Sequence, residues 1–551
     1  MNNWNILRTK QESDEILDLI LSNRGLSEKQ AREDFLSPPS VKELLKKFPF
    51  EFKKALKDAK RIVTEAIEKD IPIVIYGDYD ADGVCATAIM YKTIKYELAY
   101  DRCFYFIPNR FEHGYGLSKK AIDLILKKAK SAYDTDNGIL MITVDTGITG
   151  VEEVAYAREL NFTVIVTDHH QQPEVLPPAN CIVWEDQIVG SGIAWIFSRV
   201  LGSSDNTFLS LAAIATVTDL QPLLGFNRSL VKRGLELLNK EAPLGIKVLL
   251  EESGTNATEI TTYHLGWVIG PRLNASGRLV DASESLDLLI SRDADNIKSL
   301  ASQLNEINNS RQEKTQEMYT LIGSYRTESV PNIIISDHDQ FHEGIIGLVA
   351  SKLVQKYYRP SIVISTSEEI GKGSARSIPG INIIETLRKF DNLFLNLGGH
   401  PMAAGFSIEK NNILELKESL LNYALIEFTA EQLIPELTVD VELPFESIED
   451  HFLNDLEELK PYGIGNKEPL FLSRKLGVLD IRWVGKTGAH LSLKLFSKGI
   501  TRKAVFFGAK EHKVAALLKE GDLIDAVFKI ERNDFNGRSY LNIQIVDLRF
   551  N

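Results

Sequence analysis

The 551-residue chain is too long for one hydrophobic core, and its 44% hydrophobic and 25% charged residues predict roughly three or four folded domains. No apolar stretch approaches the roughly 20 residues of a membrane span, and the start, MNNWNILRTKQESDE, lacks the apolar core of a signal peptide, so we expect no membrane association. The cysteines, Cys85, Cys103 and Cys181, are too few and too far apart for a disulfide framework, which favours a reducing, cytoplasmic location.

Charge is distributed unevenly along the chain. The net charge of −13 by itself disfavours a nucleic-acid partner. Residues 471–551, however, contain 15 Lys and Arg against 8 Asp and Glu, a net of +7, so residues 1–470 carry −20. This division predicts a cation site in an acidic body and a polyanion surface in a basic C-terminal domain.

The first half of the chain predicts helices followed by a parallel sheet. Residues 1–70 have the pattern of a helical N-terminal segment, interrupted at Pro38-Pro39. Short apolar runs rich in β-branched or aromatic residues then alternate with amphipathic stretches; the runs are IPIVIYG (71–77), CFYFIPN (103–109), GILMITV (138–144) and FTVIVT (162–167). This alternation predicts an α/β domain over 71–277 with a doubly wound, mainly parallel sheet.

A span without Gly or Pro runs from Arg278 to Ile322. Its apolar residues recur at helical spacing, which predicts a connecting helix over 278–325. Two ordinary helices are the alternative, because residues 308–315 are strongly polar.

The remaining sequence predicts two further domains. The runs NIIISD (332–337) and SIVIST (361–366) flank a helical stretch and indicate a second α/β domain over 326–430. From 435 to 551, short strand-like runs surround one helix-like stretch, which predicts a small β-barrel of the OB-fold type.

Acidic residues and histidines follow three of the predicted strands immediately. They are Asp78, Asp80 and Asp82 after IVIYG, Asp145 after LMITV, and Asp168, His169 and His170 after VIVT. In a parallel sheet these strand ends share the carboxyl edge, where doubly wound folds build their sites. Each aspartate alone could simply cap a helix, but three groups at three strand ends favour a cation site. An oxygen-rich set without Cys suits Mn²⁺ or Mg²⁺, and there are enough ligands for two ions that share a carboxylate.

Four motifs carry a family resemblance. DYDADG (78–83), PNRFEHGYG (108–116), VDTG (144–147) and TDHH (167–170) resemble, in this order, the motifs of the DHH phosphoesterase superfamily. GGHPMAAGFS (398–407) is similar to the glycine-rich signature of the DHHA1 domain. With the C-terminal barrel, the order resembles the bacterial single-strand-specific 5′→3′ exonucleases of that superfamily. One departure is Tyr79, which stands where the family usually has His.

The resemblance implies five metal ligands and a set of residues beside them. The ligands are Asp80, Asp82, Asp145, His169 and Asp219, with Asp145 bridging two ions. His170 is implied to lie near the metals and the substrate, and Asp78 and Asp168 to orient the ligands. Only the resemblance singles out Asp219, because a lone Asp at a helix end is ordinarily a cap or solvated.

Three segments predict an anion-binding surface. The expected substrate-binding residues are Arg272, Asn274 and Arg278 in GPRLNASGRL, Ser374 and Arg376 in GKGSARSIPG, and Gly398, Gly399 and His400 in NLGGHPMAAG. Each segment alone could be a turn with a solvated arginine. In the barrel, the expected nucleic-acid contacts are Arg482, Trp483 and Lys486, which combine charge with an aromatic ring.

These observations predict a metal-dependent exonuclease that degrades single-stranded DNA from its 5′ end to mononucleotides. Strand specificity, polarity and a role in recombination and repair are implied by the resemblance. We expect a monomer that cooperates with a single-strand-binding protein and a helicase. The alternatives are a DHH phosphodiesterase for short oligonucleotides or cyclic dinucleotides, and a non-catalytic DNA-binding scaffold.

Overall fold

The computed structural model describes residues 2–11, 14–114, 116–133, 135–255, 258–325, 330–449, 451–535 and 538–551. Tyr115 of the PNRFEHGYG motif and residues 326–329, where the second α/β domain is predicted to begin, lie outside them. The chain divides into two compact units, Met1–Pro39 with Ile434–Asn551, and Ser40–Leu433.

The secondary structure alternates between helices and strands over most of the chain. The strands are β1 (Asn3–Thr9), β2 (Ile73–Tyr76), β3 (Cys103–Phe106), β4 (Ile139–Val144), β5 (Phe162–Asp168), β6 (Cys181–Trp184), β7 (Ile334–His338), β8 (Ser361–Ser365), β9 (Ile370–Arg376), β10 (Phe394–His400), β11 (Ala403–Glu409), β12 (Glu436–Glu442), β13 (Phe471–Val484), β14 (His490–Ser497), β15 (Ile500–Phe506), β16 (Leu523–Phe535) and β17 (Arg538–Phe550). The α-helices are α1 (Ile16–Asn23), α2 (Lys29–Leu36), α3 (Val41–Leu45), α4 (Phe50–Glu68), α5 (Ala81–Lys92), α6 (Arg110–His113), α7 (Lys119–Ala132), α8 (Val151–Glu159), α9 (Gly190–Leu201), α10 (Thr207–Thr218), α11 (Gly225–Glu241), α12 (Leu244–Glu252), α13 (Gly270–Leu279), α14 (Ser283–Ile290), α15 (Ala294–Ile322), α16 (Ile346–Tyr357), α17 (Ile383–Arg388), α18 (Ile413–Glu427) and α19 (His451–Glu458).

The sheet that carries the acidic motifs has five parallel strands in the order β3-β2-β4-β5-β6. Its residues alternate between two cores: Ile73 and Ile75 pack with α4, α5 and α9, whereas Val74 and Tyr76 pack with α7 and α8. Helices therefore cover both faces, and the predicted doubly wound fold is confirmed. The strand order reverses between β2 and β4, and ligands of such folds bind at the carboxyl ends beside this reversal.

A second sheet in the same unit confirms the second α/β domain, with the order β10-β11-β9-β8-β7. β7 and β8 are parallel and the other neighbours antiparallel. The preceding connection contains two helices, the short α14 and α15, whose 29 residues continue without a break through the polar residues 308–315. The long helix therefore begins at Ala294 and not at the predicted position 278, because Arg278 belongs to α13. The Asp293 carboxylate caps α15 by accepting hydrogen bonds from the N–H groups of Asp295 and Asn296.

The other unit contains the predicted OB-fold barrel. Strands β13, β14, β15, β17 and β16 pair in this order, and β16 pairs back onto β13, so the five strands close around one core.

The N-terminal residues correct one prediction. Residues 1–70 do not form a purely helical segment, because β1 pairs in parallel with β12 of the barrel unit. The indole N–H of Trp4 donates to the Asp547 carboxylate at 2.7 Å. A local pattern could not reveal this strand, since its partners lie more than 400 residues away in sequence. Among the described residues, no helix has the length and apolar character that crossing a bilayer requires.

Candidate metal centre

The DYDADG turn links β2 to the first turn of α5. The Asp80 carboxylate caps α5 by accepting hydrogen bonds from the N–H groups of Asp82 (2.9 Å) and Gly83 (3.1 Å). The side-chain oxygen of Asn274 accepts a hydrogen bond from the Ala81 N–H at 2.8 Å, which ties the turn to α13. Capping and membership of an acidic cluster are thus not alternatives for Asp80, because one carboxylate does both.

Asp82 faces a second helix N-terminus that sequence reasoning missed. Its two carboxylate oxygens accept hydrogen bonds from the N–H groups of Gly190 and Ser191, each at 2.8 Å, at the start of α9. A Cβ at Gly190 would lie 2.6 Å from Asp145 Oδ1, so only glycine permits this approach. The signal was available in VGSG (189–192), a small-residue stretch between a strand and an apolar helix.

Asp145 is the most constrained residue at this edge. It has a left-handed backbone with φ of 60°, which a non-glycine residue adopts only where the surrounding fold holds it. Its side chain is buried, and within the described part of the chain its Oδ1 has no hydrogen-bond partner. His169 Nε2 lies 3.1 Å from this oxygen and 3.7 Å from Asp82 Oδ2. Burial, reinforced by the neighbouring aspartates, raises the pKa of Asp145 well above its ordinary value.

Asp168 organises the histidine pair. One of its oxygens accepts hydrogen bonds from the N–H groups of His169 and His170 and lies 2.7 Å from His170 Nδ1; the other accepts from the Ile148 N–H at 2.9 Å. Burial by itself raises the pKa of Asp168 and lowers the pKa of His170. The contact between the two side chains outweighs burial, so the pKa of Asp168 is lowered and that of His170 is raised to about 9. Burial lowers the pKa of His169, which favours the neutral imidazole that a metal requires.

Asp219 reaches the same place from the end of α10. Its Oδ2 accepts a hydrogen bond from Gln221 at 3.0 Å. Burial and the charge of Asp82 raise the pKa of Asp219 to about 7, and burial and the charge of Asp80 raise the pKa of Asp78 to about 8. Asp78 accepts a hydrogen bond from the Tyr79 N–H at 2.8 Å.

These eight side chains are called the acidic edge below: Asp78, Asp80, Asp82, Asp145, Asp168, His169, His170 and Asp219. Three sets of them place one potential ligand atom from each member within 4.8 Å of the others: Asp78, Asp80 and Asp145; Asp82, His169 and Asp219; and Asp145, His169 and His170. Asp145 belongs to two sets. Such crowding of buried carboxylates is costly unless a cation neutralises them, and the orphaned Asp145 oxygen fits a ligand atom.

An arginine cluster, made of Arg110, Arg278 and Arg376, adjoins the acidic edge. Burial, together with the charges of Arg110 and other arginines, lowers the pKa of Arg278 to about 10, with Asp80 acting in the opposite direction. Among the described residues, Arg278 has no hydrogen-bond or ion-pair partner. The Arg110 guanidinium lies over the Tyr79 ring, 5.3 Å from its centroid. Like charges held together, with no ion-pair contact among the described residues, form a receptor for an anion.

Two predicted substrate contacts also have structural roles. GPRLNASGRL forms α13 rather than a loop. Arg272 is buried, and its guanidinium donates to Asn305 at 3.0 Å and to the Val268 carbonyl at 2.8 Å, so its contact with substrate stays a prediction. Asn274 uses its carbonyl oxygen to hold the DYDADG turn, as described above.

The remaining predicted contacts lie on the second sheet. Ser374 accepts a hydrogen bond from Arg376 at 3.0 Å on β9. A Cβ at Gly347 in the first turn of α16 would lie 2.8 Å from the Arg376 guanidinium, so this helix N-terminus directly adjoins the cluster. Gly398, Gly399 and His400 end β10 at a hairpin and are exposed. Sequence reasoning missed both Arg110 and the HEGIIG segment (342–347), since neither belongs to a strand-end pattern.

In the barrel unit, the predicted contacts lie at the end of β13. Arg482 pairs with Asp480 at 3.1 Å while its side chain stays mostly exposed, and Trp483 and Lys486 are also exposed. Phe506 is buried, whereas Phe507 is 56% exposed and stands edge-on to His490.

A parallel sheet with this acidic edge, followed by a second α/β domain, is the architecture of the DHH phosphoesterases. Family models agree: residues 72–216 match the DHH family N-terminal domain, 330–425 the DHHA1 domain and 439–547 the RecJ OB domain. The chain belongs to the RecJ family.

Similar proteins support membership of the RecJ family. The chain is 34% identical over 515 residues to the single-stranded-DNA-specific exonuclease RecJ of Bacillus subtilis, covering 91% of this chain and 64% of the relative. It is 30% identical to the Haemophilus influenzae RecJ, covering 89% of this chain and 90% of that protein. The chain thus spans less than two thirds of the Bacillus relative but nearly all of the Haemophilus one.

Solved structures give the same fold. The crystal structure of Thermus thermophilus RecJ with Mn²⁺ has a TM-score of 0.82 and 28% identity, covering 99% of this chain and 79% of that chain. The corresponding complex with Mg²⁺ has a TM-score of 0.74 and 27% identity, covering 99% of this chain and 78% of that chain.

Proposed function

We propose that this chain is a metal-dependent exonuclease that hydrolyses single-stranded DNA from the 5′ end to mononucleotides, in recombination and repair. The observation that carries the proposal is the acidic edge beside the arginine cluster in one unit. A cation site next to an anion receptor is what phosphodiester hydrolysis requires. The names of the relatives supply the single-strand specificity.

The acidic edge is proposed to hold two ions of Mn²⁺ or Mg²⁺ through Asp80, Asp82, Asp145, His169 and Asp219. Asp145, with its orphaned oxygen and its place in two ligand sets, is the shared carboxylate. A carboxylate oxygen of Asp78 lies within 4.8 Å of oxygens of Asp80 and Asp145. Asp78 is therefore proposed to bind an ion itself or to orient these two ligands. Such ions lower the pKa of water and neutralise charge at phosphorus.

The protein's own groups are proposed to hold the reacting phosphate and its protons. Asp168 fixes the orientation of His170 through the 2.7 Å contact with its Nδ1, and His170 is proposed to lie beside the reacting phosphate. The helix N-termini of α5 and α9 hold Asp80 and Asp82 in place before any ligand arrives, which limits the reorganisation that the reaction requires.

Arg278 and Arg376 are proposed to bind a phosphate of the strand, or its 5′ end. Ser374 and the N-terminus of α16 lie beside Arg376, and Arg110 lies beside Arg278. Exposed His400 and the backbone of Gly398 and Gly399 extend this surface.

The barrel is proposed to bind single-stranded nucleic acid. Arg482 and Lys486 offer charge and Trp483 a ring for stacking, in a segment whose net charge is +7. We further propose a cytoplasmic monomer that cooperates with a single-strand-binding protein and a helicase; the three cysteines are free and buried, which suits a reducing compartment.

Nuclease assays with end-labelled single strands in Mn²⁺ test the proposal. A 5′-labelled strand should release labelled mononucleotide at once, and a 3′-labelled strand only after a long lag. Asp80→Ala and Asp145→Ala should abolish both signals. Cleavage of dinucleotides with long strands left intact would instead identify an enzyme for short oligonucleotides. Undiminished cleavage by both variants would refute the metal assignment.

A further inference from the structure

The helical run that supplies Asn274 and Arg278 also carries two exposed aromatic rings. It begins as a π-helical segment, His264–Ile269, and continues directly into α13. The Trp267 side chain is 72% exposed and that of Tyr263, one turn earlier, is 61% exposed. Large aromatic side chains ordinarily bury most of their surface, so two adjacent open rings indicate a ligand surface.

This run packs directly against the helix that ends at the acidic edge. A Cβ at Gly270 would lie 2.1 Å from the Thr218 side chain, and one at Gly266 would lie 3.5 Å from Val217. Asp219 follows Thr218 immediately. The glycines therefore bring the helical run close to the position from which Asp219 enters the acidic edge.

Trp267 lies on the same continuous helical run as the residues that face the acidic edge. Asn274 and Arg278 follow it by 7 and 11 residues. Asn274 holds the Ala81 N–H, and Arg278 adjoins Asp80. At a rise of about 1.5 Å per residue, Trp267 precedes Asn274 by roughly 10 Å along the axis.

The start of this helical run is fixed in place. His264 Nδ1 accepts a hydrogen bond from the Thr261 N–H at 3.0 Å, and the Tyr263 ring stands edge-on to the His264 ring with 5.5 Å between centroids. π-Helical turns are rare and frequently lie at functional sites. The contact with His264 limits the freedom of the Tyr263 ring, so Tyr263 loses little conformational freedom when a base stacks on it.

We propose that Trp267, with Tyr263 beside it, is a stacking platform for a nucleobase of the strand whose phosphates lie at the acidic edge and the arginine cluster. The inference rests on the proposed function and adds to it a base-binding position outside the barrel. A single strand is the occupant because the platform is continuous with the residues that face the acidic edge. Stacking accepts every base, since each has a π-face.

A double-mutant cycle between protein and DNA tests the platform. Steady-state cleavage is measured on oligonucleotides that carry one abasic site at each of the first few positions from the 5′ end. With the intact strand, Trp267→Ala should raise KM about 5- to 150-fold, the range for loss of one stacked base, and leave kcat nearly unchanged. At one abasic position the wild type should lose the same factor, and the variant should lose nothing further.

Two variants serve as controls. Trp267→Phe keeps a ring and should restore most of the affinity. Leu425→Ala removes an equally exposed apolar side chain, 73% exposed on α18, and should leave KM unchanged. Thermal unfolding should change little in all three variants, because Trp267 and Leu425 are 72% and 73% exposed and bury little surface.

Three outcomes would overturn the platform. A wild-type KM in Trp267→Ala would contradict the proposal. It would also be contradicted if the effects of Trp267→Ala and of each abasic site on KM were independent, so that the variant lost the full abasic factor at every position. An unchanged KM combined with altered self-association in sedimentation would assign the rings to a contact between copies of the chain. If the wild type cleaves no single strand at all, the proposed function fails first and the platform with it, so the two failures are distinguishable.

Discussion

The acidic edge and the arginine cluster are neighbouring groups of like charge, but they are organised differently. The carboxylates of the acidic edge are mostly buried and held by backbone N–H groups, including those at the starts of α5 and α9. The arginines come from α6, α13 and β9, and Arg278 makes no hydrogen bond within the described residues. The acidic edge is therefore arranged to hold cations, and we propose that the arginine cluster binds the anionic strand.

The largest expected effect comes from removing one charge of the acidic edge. Asp145→Asn should lower kcat by about 10³-fold or more, because it removes the shared carboxylate. The same change should raise the melting temperature of the metal-free protein, because a carboxylate buried beside other aspartates no longer has to be accommodated. Steady-state kinetics and thermal unfolding in chelator measure both; a metal-free variant less stable than the wild type would contradict this account of the burial.

Two arginines of the same helix sharpen the comparison. Arg278→Gln should raise KM about 10- to 100-fold with little change in stability, because it removes a charge-assisted contact to the strand. Arg272→Gln is the matched control and should lower stability while leaving KM nearly unchanged, since its guanidinium bonds inside the fold. The reverse pattern would mean that the two roles have been exchanged.

The acidic edge also predicts how pH affects the metal-free protein. Asp219 and Asp78 have pKa values raised to about 7 and about 8, above the ordinary unfolded value. The folded state therefore binds more protons, and its stability falls as the pH rises through these values. Saturating Mg²⁺ should thus raise the melting temperature more at about pH 9 than at about pH 6. An equal increment at both pH values would contradict the coupling.

The smallest effect is expected in the barrel. Arg482→Gln and Lys486→Gln should each reduce the slope of log affinity against log salt by about 0.7, the value per phosphate contact of a single strand. Binding titrations at several salt concentrations measure this slope. An unchanged slope in the double variant would show that Arg482 and Lys486 do not contact the phosphates of the strand.

How far the sequence predicts this molecule depends on whether a feature is local. Asp80, Asp145 and His169 could be brought together in advance because each follows a strand of one parallel sheet, and that geometry fixes their common edge. The five-strand barrel was likewise readable from its short alternating runs.

The arginine cluster was only partly readable. Arg110 and Gly347 join it through packing between segments far apart in sequence, which leaves no periodic signal. The segment of Arg272 was read as a loop because it contains Gly and Ser, although tertiary packing makes it a helix. The strand β1 was missed because its pairing with β12 joins residues far apart in sequence, which leaves no local pattern.

Counting bound Mn²⁺ by electron paramagnetic resonance titration tests the central claim most directly, because it needs no substrate. The account predicts two ions per wild-type chain and loss of the bridged pair in Asp145→Asn. A wild-type chain that binds no Mn²⁺, or an Asp145→Asn variant that still binds two ions with undiminished affinity, would contradict it.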